Sequence, residues 1–140
     1  MGRSFVIFLC TLTSVLYALS FFLPASYIEV DGHRDTVYGY RAFLLGIGCF
    51  GSPLPGTSKV FLAWLANPML WMGIISLASG RHRLACVLGV LSVILSGLLL
   101  SGNSADRNFV PIGYYLWIMS MAMFGLAACI NLFACQRPSR

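Results

Sequence analysis

The stretch IGYYLWIMSMAMFGLAACINLFAC, residues 112–135, decides the fold of this chain. It contains no charged residue, and it follows Pro111, which is tolerated at a helix start because its missing N–H would have no partner there. A helix needs roughly 20 mostly apolar residues to cross a hydrocarbon core about 30 Å thick. The segment shows continuous apolarity rather than the alternation of a strand, and a helix satisfies its own backbone inside lipid. We therefore predict a transmembrane helix over residues 112–135.

Three further segments of the sequence meet the same criterion. Residues 5–23 and 60–78 carry no charge, although Asn67-Pro68 interrupts the second near its centre. Residues 84–100 are fewer but almost purely aliphatic, which suits a slightly thinned bilayer. We therefore predict an all-α membrane protein. It is a four-transmembrane-helix bundle in a single domain, residues 1–140, with a short β-hairpin in an outer loop, residues 24–59.

The composition excludes several classes of protein. Of the 140 residues, 59% are hydrophobic and 9% are charged, whereas an ordinary soluble domain is about a quarter charged. Too little polar surface is present for a soluble globular domain, and the chain is too apolar for a disordered tail. The net charge of +5 does not indicate a nucleic-acid partner in such a chain. The partner that the composition predicts is the lipid bilayer.

The charged residues divide between the two predicted faces of the bundle. One face carries arginines and no acid: Arg3, Arg81, Arg83, Arg137 and Arg140. The other carries all four acids, Glu29, Asp31, Asp35 and Asp106, together with Arg34, Arg41, Lys59 and Arg107. The positive-inside rule then places both termini in the cytoplasm, with the first and third loops facing the periplasm or the exterior.

A cleaved signal peptide is the alternative interpretation of residues 5–23, with Arg3 as its basic region. The apolar stretch is longer than usual for such a peptide, and Pro24-Ala25-Ser26 is a poor cleavage site. We expect the segment to remain as the first membrane span.

The outer loop is the one substantial polar region of the sequence. Asp31-Gly32 separates two β-branched and aromatic runs, residues 27–30 and 36–38, which is typical of a hairpin turn. Residues 42–50 are apolar but too few to span, so we expect an interfacial or re-entrant segment there. Two interpretations of the loop stay open: a lid that seals the outer end of the bundle, and a surface that binds a partner.

The sequence offers little chemistry. No Asp, Glu, Lys, Arg or His falls within the four predicted spans, although transporters and pumps usually need one there. His33 and His82 lie on opposite predicted faces and cannot share a metal ion. The five cysteines form no C-x-x-C; Cys49 alone lies near the outer face, and we interpret the other four as small apolar residues. We predict no enzyme, no metal site and no cofactor.

Asn67 is the most suggestive polar residue within a predicted span. Pro68 leaves the carbonyl of Trp64 without its helical donor, and the Asn67 amide or a neighbouring helix can supply one. The segment is therefore either a broken helix that lines a site or a kink whose polar group ties helices together. In the third span, Ser92-x-x-x-Ser96 predicts close helix packing, within the bundle or between copies in a homo-oligomer.

Aromatic residues supply most of the remaining candidates. Trp64 and Trp71 share a helix face at seven-residue spacing, and Tyr114, Tyr115 and Trp117 are predicted to anchor the last helix in the headgroup belt. The residues that we single out for contact with a partner, or for lining a path, are Tyr38, Tyr40, Arg41, Trp64, Asn67, Pro68, Trp71, Tyr115 and Trp117.

Three short motifs together resemble a known group of proteins. They are Tyr38-Gly39-Tyr40-Arg41-Ala42-Phe43, Trp64-Leu65-Ala66-Asn67-Pro68 and Gly113-Tyr114-Tyr115-Leu116-Trp117-Ile118-Met119-Ser120. The chain resembles a loose group of small, uncharacterised bacterial four-span inner-membrane proteins with W-L-A-N-P-like and G-Y-Y-L-W-like motifs. It departs from the group at Tyr40, where those proteins would favour Trp. The resemblance implies a bacterial inner-membrane location and four spans, and it transfers no catalytic residue.

These observations predict a non-enzymatic integral membrane protein that acts by contact with another protein. Such a protein would be an accessory subunit of a larger complex or an immunity-type protein that blocks a membrane-active toxin. The alternative is a small oligomeric transporter or channel for a neutral or weakly polar solute, in which Asn67-Pro68 and the serines of the third span line the path.

Overall fold

The computed structural model describes residues 3–30, 33–50, 57–98 and 111–136. Its elements in chain order are α1 (Arg3–Phe22), β1 (Pro24–Val30), β2 (His33–Tyr38), α2 (Gly39–Gly48), α3 (Thr57–Trp64), α4 (Ala66–Ala78), α5 (His82–Gly97) and α6 (Ile112–Gln136). Within these ranges, three helical segments are long and apolar enough to cross a membrane: Ser4–Phe22, Ser58–Ala78 and Ile112–Cys135. The prediction of a mostly helical protein with long apolar helices and a small hairpin is confirmed.

Helix α5 differs from its predicted span. The sequence predicts a span over residues 84–100, whereas α5 begins two residues earlier and ends at Gly97. Its 16 residues rise about 1.5 Å each, which gives ~24 Å against a hydrocarbon core of ~30 Å. Residues 99 and 100 of the predicted span lie outside the described residues.

Small residues allow the helices to pack closely. Helix α6 packs against α1 on one side and α5 on the other, and α4 packs against α5. Ala66, Ala85 and Ala128 are fully buried where these helices meet, together with the larger Met121 and Phe124. Close approach of helix backbones is how membrane helices associate without a hydrophobic driving force between them.

Helix α1 buries only one narrow stripe of its surface. Leu9, Thr13 and Ser20 lie at helical spacing and are at most 4% exposed. Most of its other side chains are apolar, and Ile7 and Phe8 are more than half exposed. The exposed Thr11 and Ser14 hydroxyls donate to carbonyls of their own helix. A largely apolar helix that the protein leaves mostly uncovered is typical of a lipid-facing span.

Strands β1 and β2 form the hairpin that the sequence predicts. They pair antiparallel, and Val30 is opposite His33, so the connection contains two residues, as Asp-Gly turns require. Asp31 and Gly32 themselves lie outside the described residues. The register shifts between Pro24 and Ser26, where β1 leaves α1.

A tight turn joins α4 to α5. Gly80 has a φ of +74°, the left-handed conformation that follows many helices. The Gly80 N–H donates to the carbonyl of Leu77 at 3.1 Å, and the Arg81 N–H donates to that of Ser76 at 2.9 Å. This bonding satisfies two terminal carbonyls of α4 and returns the chain directly into α5, beside the basic residues of the turn.

Candidate functional site

The hairpin is held against the helices by backbone contacts at its base. The Gly39 N–H donates to the carbonyl of Leu23 at 3.0 Å, which ties the end of β2 to the end of α1. A side chain at Gly39 would overlap the carbonyl oxygen of Ser20. A Cβ at Gly113 would lie 2.5 Å from the carbonyl oxygen of Pro24, so the start of α6 closes the other side. These contacts fix the base of the hairpin against α1 and α6. We call Leu23, Pro24, Gly39 and Gly113 the hairpin mount.

Exposed aromatic and basic side chains follow this mount directly. The rings of Tyr38 and Tyr40 stack with centroids 6.3 Å apart, and 41% and 44% of these residues are exposed. The Arg41 Nε donates to the Tyr40 hydroxyl at 3.1 Å, and its Cζ lies 5.9 Å from the centre of that ring. We call these three residues the hairpin patch. Their mutual contacts order three side chains without burying them.

An aromatic cluster lies beneath the hairpin patch and connects α2 to the long helices. The Phe43 ring centre lies 5.5 Å from that of Phe21, 5.6 Å from that of Trp64 and 5.9 Å from that of Trp71. The prediction that Trp64 and Trp71 share a face is confirmed, because both indoles contact the same phenyl ring. Aromatic pairs contribute about 0.5–1.5 kcal/mol each beyond their buried area, so the cluster fixes α2 in place.

Asn67 joins three helices through one side chain. Its Oδ1 accepts a hydrogen bond from the Tyr17 hydroxyl of α1 at 3.0 Å and another from the Trp117 Nε1 of α6 at 2.8 Å. Asn67 itself is 4% exposed. We call Tyr17, Asn67 and Trp117 the amide node. Both acceptor positions of the carboxamide oxygen are used inside the protein.

The same carboxamide also supplies the hydrogen-bond donor that the helix lacks before Pro68. The Asn67 Nδ2 donates to the carbonyl of Trp64 at 2.8 Å, which is the group that Pro68 leaves without a donor. Of the two donors that the sequence leaves open for this carbonyl, the structure shows the Asn67 amide. Leu65 separates α3 from α4 but keeps helical dihedrals, φ −59° and ψ −17°, so the chain is kinked rather than unwound.

The aromatic residues at the start of α6 divide into two groups. Trp117 donates to the amide node, and the Tyr114 hydroxyl donates to the carbonyl of Ser96 at 3.0 Å. These two side chains direct their polar atoms into the bundle, a different role from the headgroup anchoring that the sequence suggested. Tyr115 is 50% exposed, so its predicted role as a headgroup anchor stays a prediction.

The buried serines of α5 bond to their own helix. Ser92 donates to the carbonyl of Gly89 at 2.7 Å, and Ser96 donates to that of Val93 at 2.9 Å. Both residues are 0% exposed. Their small side chains allow neighbouring helices to approach, in agreement with the predicted packing role.

One contact between chemically reactive groups was not predicted. The Sγ atoms of Cys86 in α5 and Cys129 in α6 lie 3.0 Å apart, although 43 residues separate them in the chain. Neither residue belongs to a C-x-x-C motif, so no local pattern could reveal the pair. Only the register between two antiparallel helices brings these thiols together.

No metal centre appears in the part of the chain that the structure describes. Its His, Cys, Asp and Glu residues form no group of three or more able to hold an ion. His33 lies on β2 and His82 begins α5, at separate places in the fold.

The fold and the site define a small, mostly helical protein. Its described residues include three helices long and apolar enough to cross a membrane, with a hairpin beside them. Comparisons of the chain with family models, with curated proteins and with solved structures found no match. The resemblance to small bacterial four-span proteins therefore stays a prediction.

Proposed function

We propose that this chain is a non-enzymatic integral protein of the bacterial inner membrane that acts by contact with another membrane protein through its hairpin patch. The observation that carries the proposal is an exposed Tyr–Tyr–Arg group on a fixed mount. Tyrosine and arginine are among the residues that dominate binding energy at protein interfaces. A group that is ordered before binding loses less conformational entropy when the partner arrives.

The proposed topology has four spans: α1, α3 with α4, α5, and α6. Arg81 and Arg83 lie at the end of the bundle opposite the hairpin, so the positive-inside rule supports a cytoplasmic location for that end and for both termini. Helix α5 is ~6 Å short of the usual core thickness, which local thinning of the bilayer accommodates at modest cost.

The amide node supports a scaffold role for Asn67. A neutral polar path for a solute needs polar groups that are free to meet the solute. The Asn67 oxygen instead accepts two hydrogen bonds from the protein, and Ser92 and Ser96 donate to their own helix. These contacts favour the contact protein over the alternative of a small oligomeric transporter or channel.

Site-specific photocrosslinking in native membranes tests the proposal. A benzophenone amino acid at Tyr40 is expected to give a discrete adduct with one partner protein. Tyr38→Ala together with Arg41→Ala should reduce the yield of this adduct at least tenfold, because both flanking contacts are removed.

The matched control places the same photocrosslinker at Phe133, which is 67% exposed near the other end of α6. We expect no such adduct there. Equal adducts at both positions, or lipid adducts alone at position 40, would contradict the proposal and favour a membrane-anchoring role for the patch.

A further inference from the structure

Helices α5 and α6 run antiparallel along a seam whose register is fixed at two levels. Toward the hairpin, the Tyr114 hydroxyl donates to the carbonyl of Ser96. Further along, Gly89 faces Gly125, and a Cβ built on Gly89 would lie 3.0 Å from the Gly125 Cα. The two backbones are therefore nearly in contact at this level of the seam.

The thiols of Cys86 and Cys129 lie about one turn beyond this glycine contact. Their Sγ atoms are 3.0 Å apart, closer than the ~3.5–4.0 Å usual between non-bonded carbon atoms. A disulfide bond is about 2.05 Å long, so each sulfur needs to move by only about 0.5 Å to form one. Both cysteines are partly exposed, so the protein does not fully enclose either residue.

We propose that Cys86 and Cys129 are a redox pair that closes into a disulfide between α5 and α6. The oxidant is a small organic disulfide. The thiolate of one cysteine attacks it, one small thiol leaves, and a mixed disulfide forms on the protein. The second thiolate then attacks the protein sulfur of that mixed disulfide. The S–S bond to the small group breaks, and this group leaves as a second small thiolate with the bonding electrons. Two protein thiols are oxidised, and one disulfide is reduced to two thiols.

The crosslink would change how the two helices move. In the reduced chain, α5 and α6 are held by packing and hydrogen bonds, whereas the disulfide adds a covalent bond that closes a long loop. In the proposed topology the pair lies toward the cytoplasmic side, whose thiol pool keeps it reduced at rest. The inference does not rest on the hairpin patch or on its partner.

Titration with dithiodipyridine tests the pair. The full chain carrying Cys10→Ser, Cys49→Ser and Cys135→Ser is reconstituted in lipid nanodiscs and treated with this small disulfide. We expect release of two thiopyridone molecules per chain, an intact mass lower by two hydrogens, and a crosslinked peptide that contains residues 86 and 129. The midpoint of thermal unfolding should rise and should return after reduction.

Two further variants provide the matched controls. Cys86→Ser or Cys129→Ser, made in the same background, leaves a single thiol, which should retain its thiopyridyl adduct at least tenfold more than the paired form. Two stable adducts on the paired form would overturn the proposal. Absence of reaction in the folded paired form, when the denatured chain reacts fully, would overturn it as well.

Discussion

At the residue scale, the amide node shows how one polar side chain can organise a largely apolar protein. The Asn67 carboxamide accepts from α1 and α6 and donates within its own kinked helix. In the proposed membrane setting water cannot replace these partners, so each group depends on the others. The node therefore couples the kink at Leu65 to the relative placement of three helices.

Asn67→Leu is expected to destabilise the protein by about 2–4 kcal/mol, because it leaves the Tyr17 hydroxyl, the Trp117 indole and the Trp64 carbonyl without their partner. Equilibrium unfolding in detergent micelles measures the change.

Asn131→Leu is the matched control for this substitution. Asn131 is half-buried, and its Oδ1 accepts only a long contact from Cys135 Sγ at 3.5 Å among the bonds that the structure shows. We expect a change below about 0.5 kcal/mol, because no buried hydrogen-bond network is broken. Equal losses in the free energy of unfolding for Asn67→Leu and Asn131→Leu would show that the hydrogen bonds of the amide node do not stabilise the protein.

The residue scale also shows what the sequence can and cannot predict. The loss of the helical donor to the Trp64 carbonyl follows from a local rule, since Pro68 has no N–H. Whether Asn67 or another helix replaces that donor could not be decided from the sequence. The donors to Asn67 could not be predicted, because Tyr17 and Trp117 reach it only through the packing of separate helices. Trp117 was accordingly expected in the headgroup belt, where a tryptophan at a helix end is common.

At the element scale, glycines set how closely the elements approach. Gly39 allows the hairpin base to lie on α1, and Gly89 allows α5 to lie on α6. A methyl group at Gly39 must displace the backbone of α1, whereas one at Gly89 requires the Gly125 backbone to give by a few tenths of an ångström. A backbone cannot rotate away as a side chain can.

Gly39→Ala is expected to loosen the hairpin mount and to cost about 1–3 kcal/mol. Hydrogen exchange of the β1 and β2 amides should become at least tenfold faster than in the parent chain. Gly48→Ala is the control in the same helix, because no atom lies within 4 Å of its added Cβ. We expect Gly48→Ala to leave exchange of the β1 and β2 amides unchanged. An equal effect of the two substitutions would contradict the close contact at the hairpin mount.

Gly89→Ala is expected to separate α5 from α6 and to destabilise the bundle by about 1–3 kcal/mol. Thermal unfolding in nanodiscs reports the change. Gly97→Ala lies in the same helix with nothing within 4 Å of its added Cβ, so it should be neutral. A neutral Gly89→Ala would show that the seam is not closely packed.

The elements differ in how well the sequence predicts them. Residues 27–38 predict the hairpin because a two-residue Asp-Gly connection fixes both the turn and the register. The facing of Cys86 and Cys129 could not be predicted, because periodicity gives the face of a helix but not its register against another helix. The sequence places the end of this span at Leu100, where its apolar run stops. Residues 99 and 100 lie outside the described residues, so that boundary stays a prediction.

At the scale of the whole molecule, the distribution of charge gives the proposed orientation. The short α4–α5 turn carries Arg81 and Arg83, and the hairpin lies at the opposite end of the bundle. In the proposed four-span topology α5 is the shortest span, with ~24 Å of described helix against a hydrocarbon core of ~30 Å. The topology test therefore has to address α5 separately.

Cysteine-accessibility labelling is the most direct test of the four-span topology. His33→Cys, Ser79→Cys and Ser104→Cys are each introduced into a chain without its native cysteines, and spheroplasts are treated with a membrane-impermeant maleimide. We predict labelling of positions 33 and 104 in intact spheroplasts, and labelling of position 79 only after permeabilisation. Labelling of positions 33 and 79 from the same side, or of 79 and 104 from the same side, would contradict the account.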